Sequence, residues 1–247
     1  MATTTKLHFS RFEFKYLLPL ALRQEVEAEL THFVDFDPFV AQQPDHSYLV
    51  RSLYWDDDRL TAFQNKIDGQ MVRSKFRIRT YTDDPTAPVP RFLEIKGRHN
   101  NLVVKHRTPM DAGVDESMIR GDQLAELVMD RCPEGPIQQE FTFQRYRRRI
   151  KPYCLIDYQR RPYVSRFDPE FRLTFDSELQ ATQTDSLFPK STDRSRRVVP
   201  GYTVMEVKFR HHLPSWFHRI IQSYELRRLS FSKICEGTIA LDLAEDD

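Results

Sequence analysis

Between Met71 and Met110, charge and apolar bulk alternate with a period of two: Arg73, Lys75, Arg77 and Arg79 share one parity, with Phe76 and Ile78 between them. That period is the signature of a β-strand, whose successive side chains leave opposite faces. A turn-rich run over 83–90 interrupts the pattern. It resumes as Phe92-Leu93-Glu94-Ile95-Lys96, turns at Gly97 to Asn101, and continues as Val103-Val104-Lys105-His106-Arg107. The spacing predicts three antiparallel strands presenting one cationic face. A solvated outer surface would show the same local pattern, but the alternation recurs far away, at Arg11 to Lys15, Phe171 to Asp176 and Val204 to Arg210. Strands of this kind close a ring with charged walls inside and an apolar outer face that helices must cover. The expected fold class is therefore α+β: a closed antiparallel β-barrel with helices packed on its outside.

The intervening segments fit that plan. Leu22, Val26 and Leu30 follow Pro19 at helical spacing, and Tyr48 to Trp55 reads as a strand. Asp56-Asp57-Asp58 is read as a turn and helix cap, and Asp68-Gly69 as a hairpin turn. Ser117 to Asp130 and Gln138 to Arg149 are expected helices separated by Pro133 and Pro136; Arg145 to Arg149 reads as a basic helical end beside its own dipole. Tyr153 to Tyr163 and Phe171 to Asp176 form a predicted strand pair with Tyr158, Arg160 and Arg172 as inward candidates. The polar run 181–201 is expected to be a mobile surface insertion within a single domain spanning 1–247. A helix from Pro214, stacking Trp216, Ile220 and Tyr224, precedes Leu229 to Cys235.

Composition narrows the chemistry. Eighteen Phe and ten Tyr support a substantial core, and a net charge of +1 from 37 basic and 36 acidic residues argues against a surface built for nucleic acid. Any anion site must be locally concentrated. Cys132, Cys154 and Cys235 are too scattered for a disulfide framework or a cysteine zinc site, which fits a reducing cytoplasm. No apolar run approaches the roughly 20 residues of a membrane span, so membrane attachment would require a partner protein. Nucleotide-binding glycine loops, a nucleophile elbow and His-Glu-x-x-His are all missing from the sequence, and His106, His211 and His212 stand apart from any motif. What remains is a wall carrying Lys15, Arg77, Arg79, Lys96, Lys105, Arg107, Arg172 and Lys208 against Glu13, Glu94 and Glu206. Burying one ion costs several kcal/mol, so this surplus predicts a polyanion with several phosphates as the natural filling.

The order of these motifs resembles the VTC domain, the polyphosphate polymerase domain among the CYTH-like triphosphate tunnel metalloenzymes. The resemblance rests on Arg11 to Tyr16, Ser52 to Asp56, Arg77-Ile-Arg79, Leu93 to Lys96, Lys105-His-Arg107, Arg172 to Asp176, Met205 to Lys208 and Phe231-Ser-Lys233. It implies a β-barrel tunnel, a nucleoside triphosphate or polyphosphate ligand, and a divalent ion, Mn2+ or Mg2+. Carried over by position, Lys15, Arg77, Arg79, Lys96, Lys105, Arg172 and Lys233 correspond to phosphate-binding residues, with Arg77, Arg79, Lys96 and Lys233 at the reacting phosphates. Tyr158 and Arg160 correspond to a supporting pair, Lys208 is a further candidate, and Glu206 corresponds to the metal-binding carboxylate. The chain departs from the wider superfamily where Glu-x-Glu-x-Lys becomes Arg11-x-Glu13-x-Lys15, which puts a cation in place of one metal carboxylate. The activity implied is transfer of the terminal phosphate of a nucleoside triphosphate to a growing polyphosphate chain. Hydrolysis of tripolyphosphate or nucleoside triphosphate, and polyphosphate binding without catalysis, are the alternatives.

Overall fold

The computed structural model of the protein describes residues 9–99, 102–111 and 117–245. In chain order its elements are β1 (Phe9–Pro19), α1 (Leu20–Leu30), β2 (Val34–Phe36), β3 (Tyr48–Asp56), α2 (Thr61–Ile67), β4 (Val72–Thr80), β5 (Arg91–His99) and β6 (Leu102–Met110). There follow α3 (Gly121–Arg131), α4 (Pro136–Arg148), β7 (Lys151–Ser165), β8 (Arg172–Gln183), β9 (Ser195–Arg197), β10 (Tyr202–Phe209), α5 (Ser215–Ser223) and α6 (Lys233–Ala240).

All the strands belong to one sheet, in the order β2-β7-β3-β4-β5-β6-β1-β10-β8-β9, and a further β7–β8 pairing joins eight of them into a closed antiparallel ring. The predicted β4–β5–β6 meander is present, with Arg77 opposite Glu94 and Glu94 opposite Arg107. The ring is closed over very different lengths. β1 pairs with β10 along eight positions but with β6 along three.

Alternation sorts the side chains as the pleat requires. Outward residues of β1, β8 and β10, among them Tyr16, Leu173, Phe175, Met205 and Val207, bury against Val26 and Leu30 of α1 and Trp216, Phe217 and Ile220 of α5. On the far side Leu53, Trp55, Phe76, Ile78 and Leu93 pack against Leu124 and Val128 of α3 and Phe141 of α4. Asp56 and Asp57 do cap a helix: Asp56 accepts the amides of Ala62 and Phe63, and Asp57 that of Thr61. These bonds satisfy donors that the first turn of α2 leaves unpaired.

Several expectations are corrected. The helices do not all lie outside the ring. α6 packs against β7 and β8, with Gly237 on Ile156 and Ala181, and joins a buried cluster with Val50, Tyr54, Cys154 and Val204, residues that share the inward parity of Tyr158 and Glu206, and so closes one end from within. That patch of the inner face is apolar and cannot front a charged cavity without cover. Gly237 makes the seating possible, because a Cβ there would stand 2.5 Å from Ile156 Cδ1 and 3.0 Å from Ala181 Cβ. Asp68-Gly69 is no hairpin; it terminates α2, with Gly69 at φ +68° and its amide bonded to Lys66 O. That is the ordinary use of glycine just past a helix end. The third predicted helix begins at Gly121, four residues later than expected. Gly97 lies within β5 and not in a turn, and residues 100–101 of the predicted turn lie outside the described residues.

The run 181–201 is built into the fold instead of standing off it. Its first residues extend β8, Leu187 and Phe188 bury in the α3/α4 core, β9 pairs with β8, and Val198 is buried beside α6. The charged residues between these anchors hid them from a compositional reading.

Candidate functional site

The ring encloses a cavity of about 440 Å3. Fourteen of its 25 lining residues are Lys or Arg, and two, Glu13 and Glu206, are acidic. Two more carboxylates, Glu94 and Asp176, lie fully buried in the wall behind. Since the whole chain carries 37 basic and 36 acidic residues, the positive charge is gathered into this one space.

Two layers of ion pairs organise the wall. In the first, buried Glu94 receives Arg77 through Nη2 at 2.6 Å and Nε at 2.8 Å, and Lys105 Nζ lies 2.5 Å from its other oxygen. Arg77 also donates to the Tyr54 hydroxyl at 2.9 Å. Arg79 depends less on carboxylate: it donates to Ser52 Oγ at 3.0 Å and to the Tyr158 hydroxyl at 3.3 Å, with Glu94 3.9 Å away. In the second layer Lys233, delivered by the first turn of α6, stands 2.5 Å from Glu206 Oε1 and 2.6 Å from Asp176 Oδ2. Arg160 holds Asp176 by two bonds of 2.7 Å and reaches Glu206 at 3.2 Å, as does Lys208. Lys15 lies 3.5 Å from Glu206 and 3.4 Å from Glu13, which also receives Lys96 at 3.0 Å.

Protonation follows from this crowding. Burial alone would raise Glu94 and Glu206, but Arg77, Arg79 and Lys105 around the first, and Lys233, Lys15 and Lys208 around the second, hold both well below the usual carboxylate range. Burial and then Arg160 push Lys208 down to about 7, against the pull of Glu206 and Glu13. Burial opposes ionisation of Tyr54, yet Arg77, Arg79 and Lys96 draw its phenol down to about 8. Lys233 goes the other way: burial disfavours its charge, but Asp176 and Glu206 hold it well above the ordinary lysine value.

Ten sequence-predicted residues meet here: Lys15, Arg77, Arg79, Lys96, Lys105, Tyr158, Arg160, Glu206, Lys208 and Lys233. Two do not. Arg172, the first residue of β8, is exposed at the rim and paired with Asp37 at 3.3 Å. Arg107 shares the face of Lys105 but lays its guanidinium 4.6 Å over the Phe92 ring, beyond the cavity lining. Alternation reports a face and carries no information on height along the ring, so Arg107 and Arg172 share the parity of the lining without lining the cavity. The site also contains Arg11, Lys66, Arg73, Lys75, Arg98 and Arg228. Arg73 and Lys75 carry the same parity signal as Arg77; Lys66 on α2 and Arg228 before α6 carry none.

Glu13 and Glu206 are the carboxylates that reach the cavity. Among the described residues no group of three or more His, Cys, Asp or Glu could hold a metal by itself. Mg2+ and Mn2+ are hard cations, and Mg2+ sites commonly combine one or two carboxylates with water and phosphate oxygens. The donor set therefore fits an ion that arrives with its phosphate and is not caged by protein alone.

The site is thus an antiparallel ring of eight strands with a cation-rich interior. The VTC domain family matches residues 10–241, and the chain belongs to that family. A candidate adenylate cyclase of Bacillus halodurans shares the fold at TM-score 0.53 and 12% identity, over 90% of this chain and 94% of that one. The PH1819 protein of Pyrococcus horikoshii aligns at TM-score 0.47 and 12% identity, over 95% and 98%. HpAC1 of Hippeastrum, an adenylyl cyclase candidate with a dominant triphosphatase activity, aligns at 0.43 and 13%, over 88% and 89%. No curated protein matches the sequence. Among the described residues no helix is long and apolar enough to cross a membrane.

Proposed function

We propose that this protein is a metal-dependent phosphotransferase that moves the terminal phosphate of a nucleoside triphosphate onto a polyphosphate chain held inside the ring. The observation that carries the reading is that fourteen of the side chains lining the cavity are Lys or Arg against two carboxylates. Such charge requires a compensating ligand, and only a compact polyanion both fits about 440 Å3 and offers several acceptor groups. Membership of the VTC domain family supports the same reading.

The chemistry asks little covalent work of the protein. An acceptor phosphate oxygen is already ionised at neutral pH, so no general base is needed, and alignment with charge stabilisation supplies catalysis. In this reading Arg77, Arg79, Lys96 and Lys233 hold the reacting phosphates. Lys15, Lys105, Lys208 and Arg160 line the remaining path, with Tyr158 fixing Arg79. Glu206, with Glu13 beside it, would hold a divalent ion. When bound, that ion supplies charge neutralisation on the phosphoryl oxygens.

The deciding experiment incubates purified protein with ATP and Mn2+ and resolves the products by chain length. Chains longer than the acceptor support the proposal. Accumulation of orthophosphate without elongation overturns it in favour of hydrolysis, and tight retention of polyphosphate without turnover overturns it in favour of a binding module.

A further inference from the structure

Tyr54 is a nucleophile in the cavity wall that direct transfer between phosphates leaves unused. It stands opposite Arg77 in the β3–β4 register, lines the cavity, and belongs to the buried cluster that includes Ile156, Tyr158 and Ile234. Its hydroxyl accepts Arg77 Nη1 at 2.9 Å, and among the described residues no carboxylate or carbonyl takes the phenol's own proton. An oxygen that receives a cationic donor and gives its proton to nothing is placed to be an anion. The other buried phenols behave differently: burial raises Tyr48, Tyr153 and Tyr163. Burial opposes ionisation of Tyr54 as well, yet Arg77, Arg79 and Lys96 outweigh it and draw the phenol down to about 8. Those three side chains are the ones assigned to the reacting phosphates, so the phenol oxygen and the phosphoryl group share the same donors.

We infer that Tyr54 relays the phosphoryl group, taking it from the nucleoside triphosphate as a phosphotyrosine and passing it to the end of the phosphate chain. In the first step the proton of the phenol goes to solvent, the bond from Tyr54 Oη to the terminal phosphorus forms, the β–γ bridging bond breaks and the nucleoside diphosphate leaves. In the second a terminal phosphate oxygen of the chain attacks the same phosphorus, a new phosphoanhydride bond forms, and Tyr54 departs as phenolate. Nothing is oxidised or reduced, and Tyr54 is regenerated. Tyrosine is a weak nucleophile at its ordinary pKa and is activated when that pKa falls. The cations that favour the phenolate as attacking group favour it equally as leaving group. A relay also separates donor and acceptor in time, so one cationic subsite serves both in turn. This inference rests on the phosphotransferase reading of the cavity and adds to it the route by which the group travels.

The test incubates wild type and Tyr54→Phe with ATP and Mn2+ without any added acceptor, quenches the mixture, and locates covalent phosphate by peptide mass spectrometry. In parallel, exchange of labelled ADP into ATP is followed. The relay predicts phosphate on Tyr54 of wild type, its discharge when tripolyphosphate is added, and loss of ADP exchange in Tyr54→Phe, while that variant still binds tripolyphosphate. A tyrosine that only supports Arg77 would slow Tyr54→Phe but leave no covalent phosphate on wild type. Chain elongation by wild type with Tyr54 unmodified therefore overturns the relay and leaves direct transfer in place, whether or not Tyr54→Phe folds. Undiminished ADP exchange in Tyr54→Phe does the same. Phosphate on Tyr54 that passes only to water upholds the relay and overturns the elongation reading, and a wild type that neither elongates nor becomes labelled overturns both.

Discussion

Arg77 and Arg79 lie two residues apart on one strand, equally buried, and would be treated as equivalent by any reading of the alternation. The ion-pair geometry separates them. Removing Arg77 strips two bonds of 2.6 and 2.8 Å from Glu94, which has no solvent exposure, and leaves the Tyr54 hydroxyl without its donor. Breaking a buried pair from one side costs about 3–5 kcal/mol. Because Lys105 remains 2.5 Å from Glu94, the lower end applies, about 3 kcal/mol. At about 2–4 °C per kcal/mol for a chain of this size, Arg77→Ala should melt roughly 6–12 °C below wild type. Arg79→Ala loses two bonds to neutral hydroxyls and a looser ion pair with Glu94 at 3.9 Å, offset in part by relief of repulsion from Arg77, so its cost is the smaller of the two, about 1 kcal/mol. Both variants should lose most of their tripolyphosphate affinity.

The pH dependence gives a second handle on the same pair. A carboxylate whose folded pKa is depressed contributes stability above its unfolded value of about 4.3, and that contribution is lost as pH falls. Glu94 is depressed chiefly through Arg77 once its burial is overcome, so the melting gap between wild type and Arg77→Ala should narrow as pH drops below about 4. Thermal melts across pH 3–8, with tripolyphosphate titrations at pH 7, make the comparison. Equal melting losses in the two variants, or wild-type affinity in either, would refute the reasoning.

Glu206→Gln keeps the shape of a side chain that four cations approach, and should abolish Mn2+-dependent turnover while tripolyphosphate binding persists or tightens; turnover per folded molecule near that of wild type would exclude the metal role. Lys208, pushed down to about 7 in the free protein, should regain its proton beside phosphate. Binding should therefore take up protons and weaken as pH rises from 7 to 9, visible as a calorimetric heat that varies with buffer ionisation enthalpy; the same uptake in Lys208→Met would discount this assignment. Because that folded value lies below the unfolded one near 10.4, the free protein should itself gain stability as pH rises between them.

The walls of the ring were legible because a strand must alternate, and Arg77, Glu94, Lys96 and Glu206 could face only one way once their neighbours were apolar. The ends were not legible. Arg107 and Arg172 have the right parity and the wrong height, and no local pattern encodes height. α6 is short and holds both Lys233 and an apolar surface, so its placement inside the ring depends on a fit between Gly237 and Ile156 that exists only after β7 has formed. Asp68-Gly69 shows a second limit: the same dipeptide ends a helix or turns a hairpin, and what precedes it decides.

Closing the ring requires β1, at the start of the described chain, to pair with β10 almost two hundred residues later, and the charge balance of Glu206 and Asp176 waits for Lys233, later still. During synthesis the cationic wall of β4, β5 and β6 is therefore complete long before the elements that enclose it. Contacts so distant along the chain form slowly, since loop closure must precede any gain from pairing. On the proposed reading, the ligand that the finished ring holds is also one that β4, β5 and β6 could meet before the ring closes around them.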